Sequence, residues 1–212
     1  MSATRVIAIR HGETEWNRER RMQGTTDSVL SDLGWEQARA LGRRLGAVAF
    51  DALYSSDLKR AHDTARCVAD VTGHAIVLDS RLRERRFGVF EGLVRDEIKA
   101  RYPEEYQRFR SLDPDWTVPG GESAREFFRR ATECLGAIAA EHPRQTIVVV
   151  THGLVLDSLY RAAHAMSLDV PRGVELINAS LNTFLFEAGA WRLERWGDAE
   201  HLAGRTSVYV EK

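Results

Sequence analysis

Three times along this chain a short apolar run ends on polar residues and passes straight into a helical pattern. The first is Arg5-Val6-Ile7-Ala8-Ile9-Arg10, followed by His11-Gly12. The second is Asp51-Ala52-Leu53-Tyr54-Ser55, followed by Ser56-Asp57 and a stretch to Thr72 with Leu58, Ala61, Ala65, Val68 and Ala69 at helical spacing. The third is Thr146-Ile147-Val148-Val149-Val150, followed by Thr151-His152-Gly153 and a helical 154–166. Apolar β-branched runs without alternation belong to strands covered on both faces, as in parallel sheets. The expected fold is therefore α/β, a three-layer α/β/α sandwich around a mostly parallel central sheet.

The remaining elements fit that frame. Residues 31–46 form a predicted helix with Leu33, Ala38, Leu41 and Leu45 on one face, 74–79 a strand, and 122–141 a long amphipathic helix closed by Pro143. Segments 181–186 and 191–196, separated by Ala188-Gly189, form a late hairpin that adds one antiparallel edge strand. Asp57 or Ser56 is the expected N-cap of the 58–72 helix and Gly73 its C-cap. Residues 93–119, with Tyr102, Tyr106, Phe109, Trp116 and three prolines, are helical only in pieces. They read as an insertion that walls or lids a site, or that packs structurally. There is no repeat, low-complexity tract or linker, so residues 1–212 are taken as one domain.

Composition narrows the class. The 30 basic residues balance 31 acidic ones, which argues against bulk electrostatic binding to nucleic acid or an anionic membrane. No apolar run is long enough for a membrane span, and the first residues lack a signal-peptide core. Cys67 and Cys134 have no metal-ligand spacing and are expected as free buried thiols in a reducing compartment, so a cytoplasmic location is expected. Of the 30 cations, 27 are arginines, whose planar fork grips phosphate and carboxylate oxygens in pairs. An exposed sheet edge offers a route to a homodimer that nothing in the sequence specifies.

In open α/β sheets, ligands sit at the carboxyl ends of the strands. That rule gathers Arg10 and His11, Arg60 in the first turn of its helix, and His152. Two histidines, each ending a buried strand and each followed by a glycine (Gly12, Gly153), allow close backbone approach by a ligand. Three chemistries use such a group. A metal site would need further ligands, and no HExxH pair or Cys/His cluster is present. Acid–base chemistry could use the histidines without a covalent step. Phosphoryl transfer would use imidazole as nucleophile and arginines against the equatorial oxygens.

The residues also carry a resemblance. Arg10-His11-Gly12-Glu13-Thr14, with Asn17 and Gln23-Gly24 downstream, resembles the signature of the histidine phosphatase superfamily, the phosphoglycerate-mutase-like family. Further blocks follow in family order. They are Ser55-Ser56-Asp57-Leu58-Lys59-Arg60-Ala61-His62-Asp63-Thr64-Ala65; Leu82-Arg83-Glu84 with Phe87-Gly88-Val89-Phe90-Glu91-Gly92; Pro119-Gly120-Gly121-Glu122-Ser123; and Val149-Val150-Thr151-His152-Gly153.

The resemblance implies that His11 becomes phosphohistidine and that Arg10, Arg60 and His152 surround the phosphoryl group. It implies that Asn17 donates an amide hydrogen bond, and that Glu84 protonates the leaving oxygen and then deprotonates water. Without the block match, Glu84 among Arg81, Arg83, Arg85 and Arg86 would read as an exposed ion pair. Gln23, Gly24 and Gly153 are expected on the substrate side, with a loop role open for Gln23 and Gly24, while Glu91 and Glu122 read as structural or capping residues. No metal or other cofactor is implied. Phe87-Gly88-Val89-Phe90-Glu91-Gly92-Leu93-Val94-Arg95 departs from the Tyr-Gly-x-Leu-x-Gly-Leu-Asn-Lys stretch typical of the mutases and resembles the shorter phosphatase branch. A phosphomonoester hydrolase is thus expected, with a phosphoglycerate mutase or a non-catalytic phospho-ligand module as alternatives. The aromatics of 93–119, with Arg95, Arg101, Arg108 and Arg110, hint at an anionic or ring-bearing substrate.

Overall fold

The computed structural model describes residues 3–209. In chain order the strands are β1 (Thr4–Arg10), β2 (Ala52–Ser55), β3 (Ile76–Leu78), β4 (Thr146–Thr151), β5 (Leu176–Ile177), β6 (Leu181–Glu187), β7 (Ala190–Asp198) and β8 (Val208–Tyr209). The α-helices are α1 (Glu15–Glu19), α2 (Asp32–Leu45), α3 (Lys59–Thr72), α4 (Arg95–Arg101), α5 (Pro103–Arg110), α6 (Ala124–Ala140) and α7 (Gly153–His164). Six strands form the central sheet in the order β3-β2-β4-β1-β6-β7, and β5 pairs with β8 in a separate two-stranded sheet. The first four strands of that order are mutually parallel, β6 runs antiparallel to β1, and the hairpin return β7 closes that edge. The expected α/β sandwich with an antiparallel addition at one edge is what forms.

The β-branched runs alternate faces after all, but both faces are apolar. Val6, Ala8, Ile147 and Val149 point into one core layer with Phe127, Leu135 and Ile138 of α6 and Leu156 and Leu159 of α7. Ile7, Ile9, Val148 and Val150 point the other way, onto Leu41 and Leu45 of α2 and Ala61, Ala65 and Val68 of α3. Each fully buried Val, Ile, Leu or Phe among them contributes about 1.5–3 kcal/mol, which is why neither face tolerates the polar alternation of a one-sided sheet. Ser31 caps α2 by accepting from Gly34 N–H, and Ser123 and Glu126 form a capping box at α6.

One cap differs from expectation. Neither Asp57 nor Ser56 is the N-cap of α3; Leu58 occupies that position and has no side chain to offer. The Asp57 carboxylate is taken by a two-pronged pair with Arg83 at 2.7 and 2.6 Å. Asp27, from a distant loop, accepts the Lys59 N–H at 2.8 Å instead, and Ser56 Oγ accepts from Leu58 N–H at 3.3 Å. Gly73 does close the helix, with φ +74°. Of the cysteines, Cys134 is buried but Cys67 is only half-buried, and neither is in a disulfide.

Segment 93–119 folds around α4 and α5. Its Ile98, Tyr102, Tyr106, Phe109 and Trp116 join Phe87, Phe90 and Val118 in a separate apolar cluster that abuts Leu154. Among the described residues no helix is long and apolar enough to cross a membrane.

Candidate active site

Strand register builds the site. In the parallel pair β1–β4, Arg10 lies opposite Thr151, so the next residues, His11 and His152, emerge side by side. Their ring centroids are 5.2 Å apart at an interplanar angle of 60°. On the other side of β4, Ser55 pairs with Val150, which sets Ser56 next to His152; its Oγ lies 2.8 Å from His152 Nε2. Among the described residues His152 Nδ1 is buried with no hydrogen-bond partner.

The His11 loop leaves no room for side chains. A Cβ on Gly12 would lie 2.6 Å from the Gly34 carbonyl oxygen, and one on Gly34 would lie 1.9 Å from that of Glu13. The Gly12 N–H donates to Thr64 Oγ1 at 3.0 Å, and Thr64 Oγ1 donates to the Arg60 carbonyl at 2.8 Å, so α3 pins the loop.

His11 itself is 3% exposed. Its Nδ1 lies 2.8 Å from the Gly12 carbonyl oxygen, which can only accept, so Nδ1 carries the proton and Nε2 holds the lone pair. Arg60 Nε donates to that Nε2 at 3.3 Å. Burial, then the charges of Arg60 and Arg10, hold the His11 pKa well below the ordinary imidazole value, and His152 is held low chiefly by burial. Both rings are therefore neutral.

Arg60, 1% exposed, is placed by the 24–27 loop. Its Nη2 donates to the Gly24 carbonyl at 2.6 Å, and its Nη1 to the Thr26 carbonyl and to Asp27 Oδ1, both at 3.1 Å. Glu91 holds this loop in turn. Its carboxylate accepts from the N–H groups of Thr25, Thr26 and Phe87 at 3.1, 2.9 and 2.8 Å. Gly24 is glycine for a reason visible here, since its φ is +57° and a Cβ would sit 2.1 Å from Glu91 Oε1. Glu91 is structural, as expected, and so is Glu122, which pairs with Arg130 at 2.8 Å.

Glu84 is half-buried, and its carboxyl group accepts from Arg85 N–H at 2.9 Å and from Leu154 N–H, in the first turn of α7, at 3.1 Å. Those bonds and the charges of Arg60 and Arg10 favour the carboxylate, but burial outweighs them and raises its pKa above the ordinary glutamate value. Asn17 Oδ1 accepts the Thr14 N–H at 3.2 Å, which fixes the amide so that its NH₂ is the end left for the cleft.

These groups line one cleft, with Arg10, His11, Asn17, Gln23, Gly24, Arg60, Glu84 and Gly153 all at its wall. Of the nine residues predicted for the site, only His152 is not on the cleft lining; it is fully buried, with its ring edge-on to that of His11. Arg21, Met22, Phe87, Leu154, Arg172 and Leu176 complete the wall and were not anticipated for it. By contrast Arg95, Arg101, Arg108 and Arg110 are absent from the lining. The 93–119 segment meets the cleft wall from behind: Phe109 packs edge-on against the Phe87 ring, Glu97 pairs with Arg21 at 3.1 Å, and the Leu93 carbonyl accepts from Met22 N–H at 3.0 Å, while Arg108 lies over the Trp116 ring. Its sequence hint of substrate contact arose from packing. Among the described residues no group of three or more His, Cys, Asp or Glu could hold a metal ion.

The arrangement places a neutral imidazole lone pair, guanidinium donors and a carboxyl of raised pKa around a single volume. The sequence profile of the histidine phosphatase superfamily (branch 1) matches residues 6–199. The Arabidopsis thaliana protein named phosphoglycerate mutase-like protein 4 is 42% identical over 201 residues, covering 93% of this chain and 86% of that protein. The metal-independent phosphoserine phosphatase of the same plant is 38% identical over 204 residues, covering 94% and 84%. Among solved structures, Bacillus stearothermophilus YhfR superposes with a TM-score of 0.87 at 35% identity, covering 94% of this chain and 99% of that one.

Proposed function

This chain belongs to branch 1 of the histidine phosphatase superfamily, and from that membership we propose that it is a phosphohydrolase acting on a small phosphomonoester through a phosphohistidine on His11. The observation that carries this reading is the state of the His11 ring: Nδ1–H tied to the Gly12 carbonyl, with the Nε2 lone pair beside Arg60 Nε. In the first step that lone pair forms the N–P bond as the ester P–O bond breaks, and protonated Glu84 gives its proton to the departing oxygen. In the second, the Glu84 carboxylate takes a proton from water, the water oxygen bonds to phosphorus, and the N–P electron pair returns to Nε2. Inorganic phosphate leaves.

Arg10, Arg60 and the Asn17 amide would hold the equatorial oxygens. His152 would join them from Nδ1. In this reading Ser56 Oγ donates its proton to His152 Nε2 across their 2.8 Å contact and the ring proton sits on Nδ1. Gln23, Gly24 and Gly153 would face the substrate; a Cβ at Gly153 would come within 3.5 Å of Arg10 Nε.

With two guanidinium groups on the phosphoryl group, no metal is required for charge neutralisation. Turnover of p-nitrophenyl phosphate is expected to be unchanged after EDTA treatment, and a strict divalent-ion requirement would count against the mechanism. One relative's name, metal-independent phosphoserine phosphatase, agrees with this. The hydrolase is separated from a mutase by incubating 3-phosphoglycerate with a trace of 2,3-bisphosphoglycerate. Isomer interconversion with little phosphate release would reverse the assignment; phosphate release from a panel of esters, without interconversion, is expected.

A further inference from the structure

The motif blocks end near Leu156, yet the His11 loop is gripped from well beyond them. Residues 176–179 hold Arg10 and His11 at three points. The Leu176 carbonyl accepts from Arg10 Nη1, the Ala179 N–H donates to the Arg10 carbonyl at 2.9 Å, and Asn178 Nδ2 donates to the His11 carbonyl at 2.9 Å.

Asn178 is 1% exposed, and its other groups are engaged as well. Its Oδ1 accepts from Ser207 Oγ at 3.2 Å and its backbone N–H donates to the Ser207 carbonyl at 3.1 Å. Nδ2 also reaches Asn17 Oδ1 at 3.4 Å, the oxygen that orients the Asn17 amide. Ser207 Oγ in turn accepts from Gln37 Nε2 at 3.1 Å, and Gln37 Oε1 accepts the Glu13 N–H at 2.8 Å. The stretch from Arg10 to Glu13 is thus tied to residues 205–207, which run into β8 against β5.

An apolar side chain could fill the space at 178 without recruiting three remote segments. A fully engaged buried amide instead specifies one arrangement of the groups it joins. The group it fixes matters: the His11 carbonyl and the Gly12 carbonyl belong to consecutive peptide units, and the second of these holds Nδ1. Turning the first peptide turns the ring.

We infer that Asn178 is a positioning residue for the nucleophile, with the C-terminal segment 205–207 as its support. The inference rests on the phosphohistidine reading above. Asn178→Asp keeps the acceptor for Ser207 but sets an oxygen against the His11 carbonyl. Its kcat on p-nitrophenyl phosphate is expected to fall on the order of 10²-fold, the scale of a small misplacement of a reacting group, with KM changed less than about threefold. Ser207→Ala, which leaves the Asn178 donor in place, is expected to lower kcat about threefold with KM unchanged, and provides the test should Asn178→Asp not fold.

Melting temperature and the folded fraction are measured on both. A lower melting temperature with wild-type kcat per folded molecule would mean that Asn178 only stabilises the fold, and would overturn the inference. Wild-type turnover that is lost in His11→Ala but kept in both variants would overturn this inference alone. A wild type inactive on every ester would overturn the hydrolase reading and this one with it.

Discussion

Replacing His11 by alanine removes turnover of every phosphomonoester, with kcat falling by about 10⁴-fold or more, as expected when a covalent nucleophile is deleted. That is at least about 5 kcal/mol of barrier, at roughly 1.4 kcal/mol per tenfold. The loss falls on chemistry because the oxygen-binding groups stay. Arg60 remains pinned by the carbonyls of Gly24 and Thr26 and by Asp27. Its Nε–H, which meets His11 Nε2 at 3.3 Å, is released toward the incoming phosphate. Inorganic phosphate should therefore bind the variant within about tenfold of the wild-type affinity by calorimetry, since charge-assisted donors carry that binding. Wild-type protein quenched in alkali after mixing with a ³²P-labelled ester should carry label, and His11→Ala should carry none. The pH dependence has a definite sign. Protonation removes the attacking lone pair, and burial with Arg60 and Arg10 holds the His11 pKa well below its ordinary value. The acid limb of kcat/KM then lies below the usual histidine range, and activity persists as pH falls through it. A variant with kcat within tenfold of wild type, or label on another residue, would sink the assignment.

The groups that were legible in the sequence are those whose placement follows from local pattern and one topological rule. Buried runs ending in Arg10-His11 and Thr151-His152 read as strands of a parallel sheet whose carboxyl ends share one site, and the structure makes them neighbours with Arg10 opposite Thr151, which brings the two rings together. Glu84 was legible only through its block, because burial rather than its arginine-rich neighbourhood sets its chemistry. The rest depends on contacts between segments far apart in the chain. Asp27 caps α3 because the Asp57 carboxylate is drawn off by Arg83, a competition that no capping pattern displays. Asn178 is an ordinary residue in a two-residue-strand region, and its partner His11 lies 167 positions away. Leu176 and Arg172 reach the cleft from the connection after α7, where neither periodicity nor motif marks them. In the reverse direction, the arginines and aromatics of 93–119 looked like ligand contacts because a packed amphipathic wall has the same composition.

Glu84→Gln should separate the two steps of the reaction. A protonated carboxyl assists a leaving oxygen most when that oxygen is basic, so an alkyl phosphate loses about 10³-fold in kcat while p-nitrophenyl phosphate, whose phenolate departs unaided, loses far less in the first step. Hydrolysis of the phosphohistidine still needs a base for water, and the amide cannot serve. With p-nitrophenyl phosphate the variant should therefore release close to one equivalent of nitrophenolate in a burst and then stall, with ³²P label accumulating on His11. The alkaline limb of the wild-type profile should also vanish. The folded Glu84 pKa is raised by burial, so the acid form survives above the ordinary glutamate range and is lost as pH rises through the raised value; glutamine has no such proton to lose. The substitution carries a structural cost of its own. The carboxyl oxygens accept from two backbone donors, Arg85 N–H and Leu154 N–H, and glutamine's single oxygen can serve one while its NH₂ faces the other. An unmet buried donor costs about 1–3 kcal/mol, so the melting temperature should fall, and rates must be taken per folded molecule. Equal losses on both esters, without a burst and with the alkaline limb intact, would place Glu84 outside proton transfer and leave its role to holding the first turn of α7.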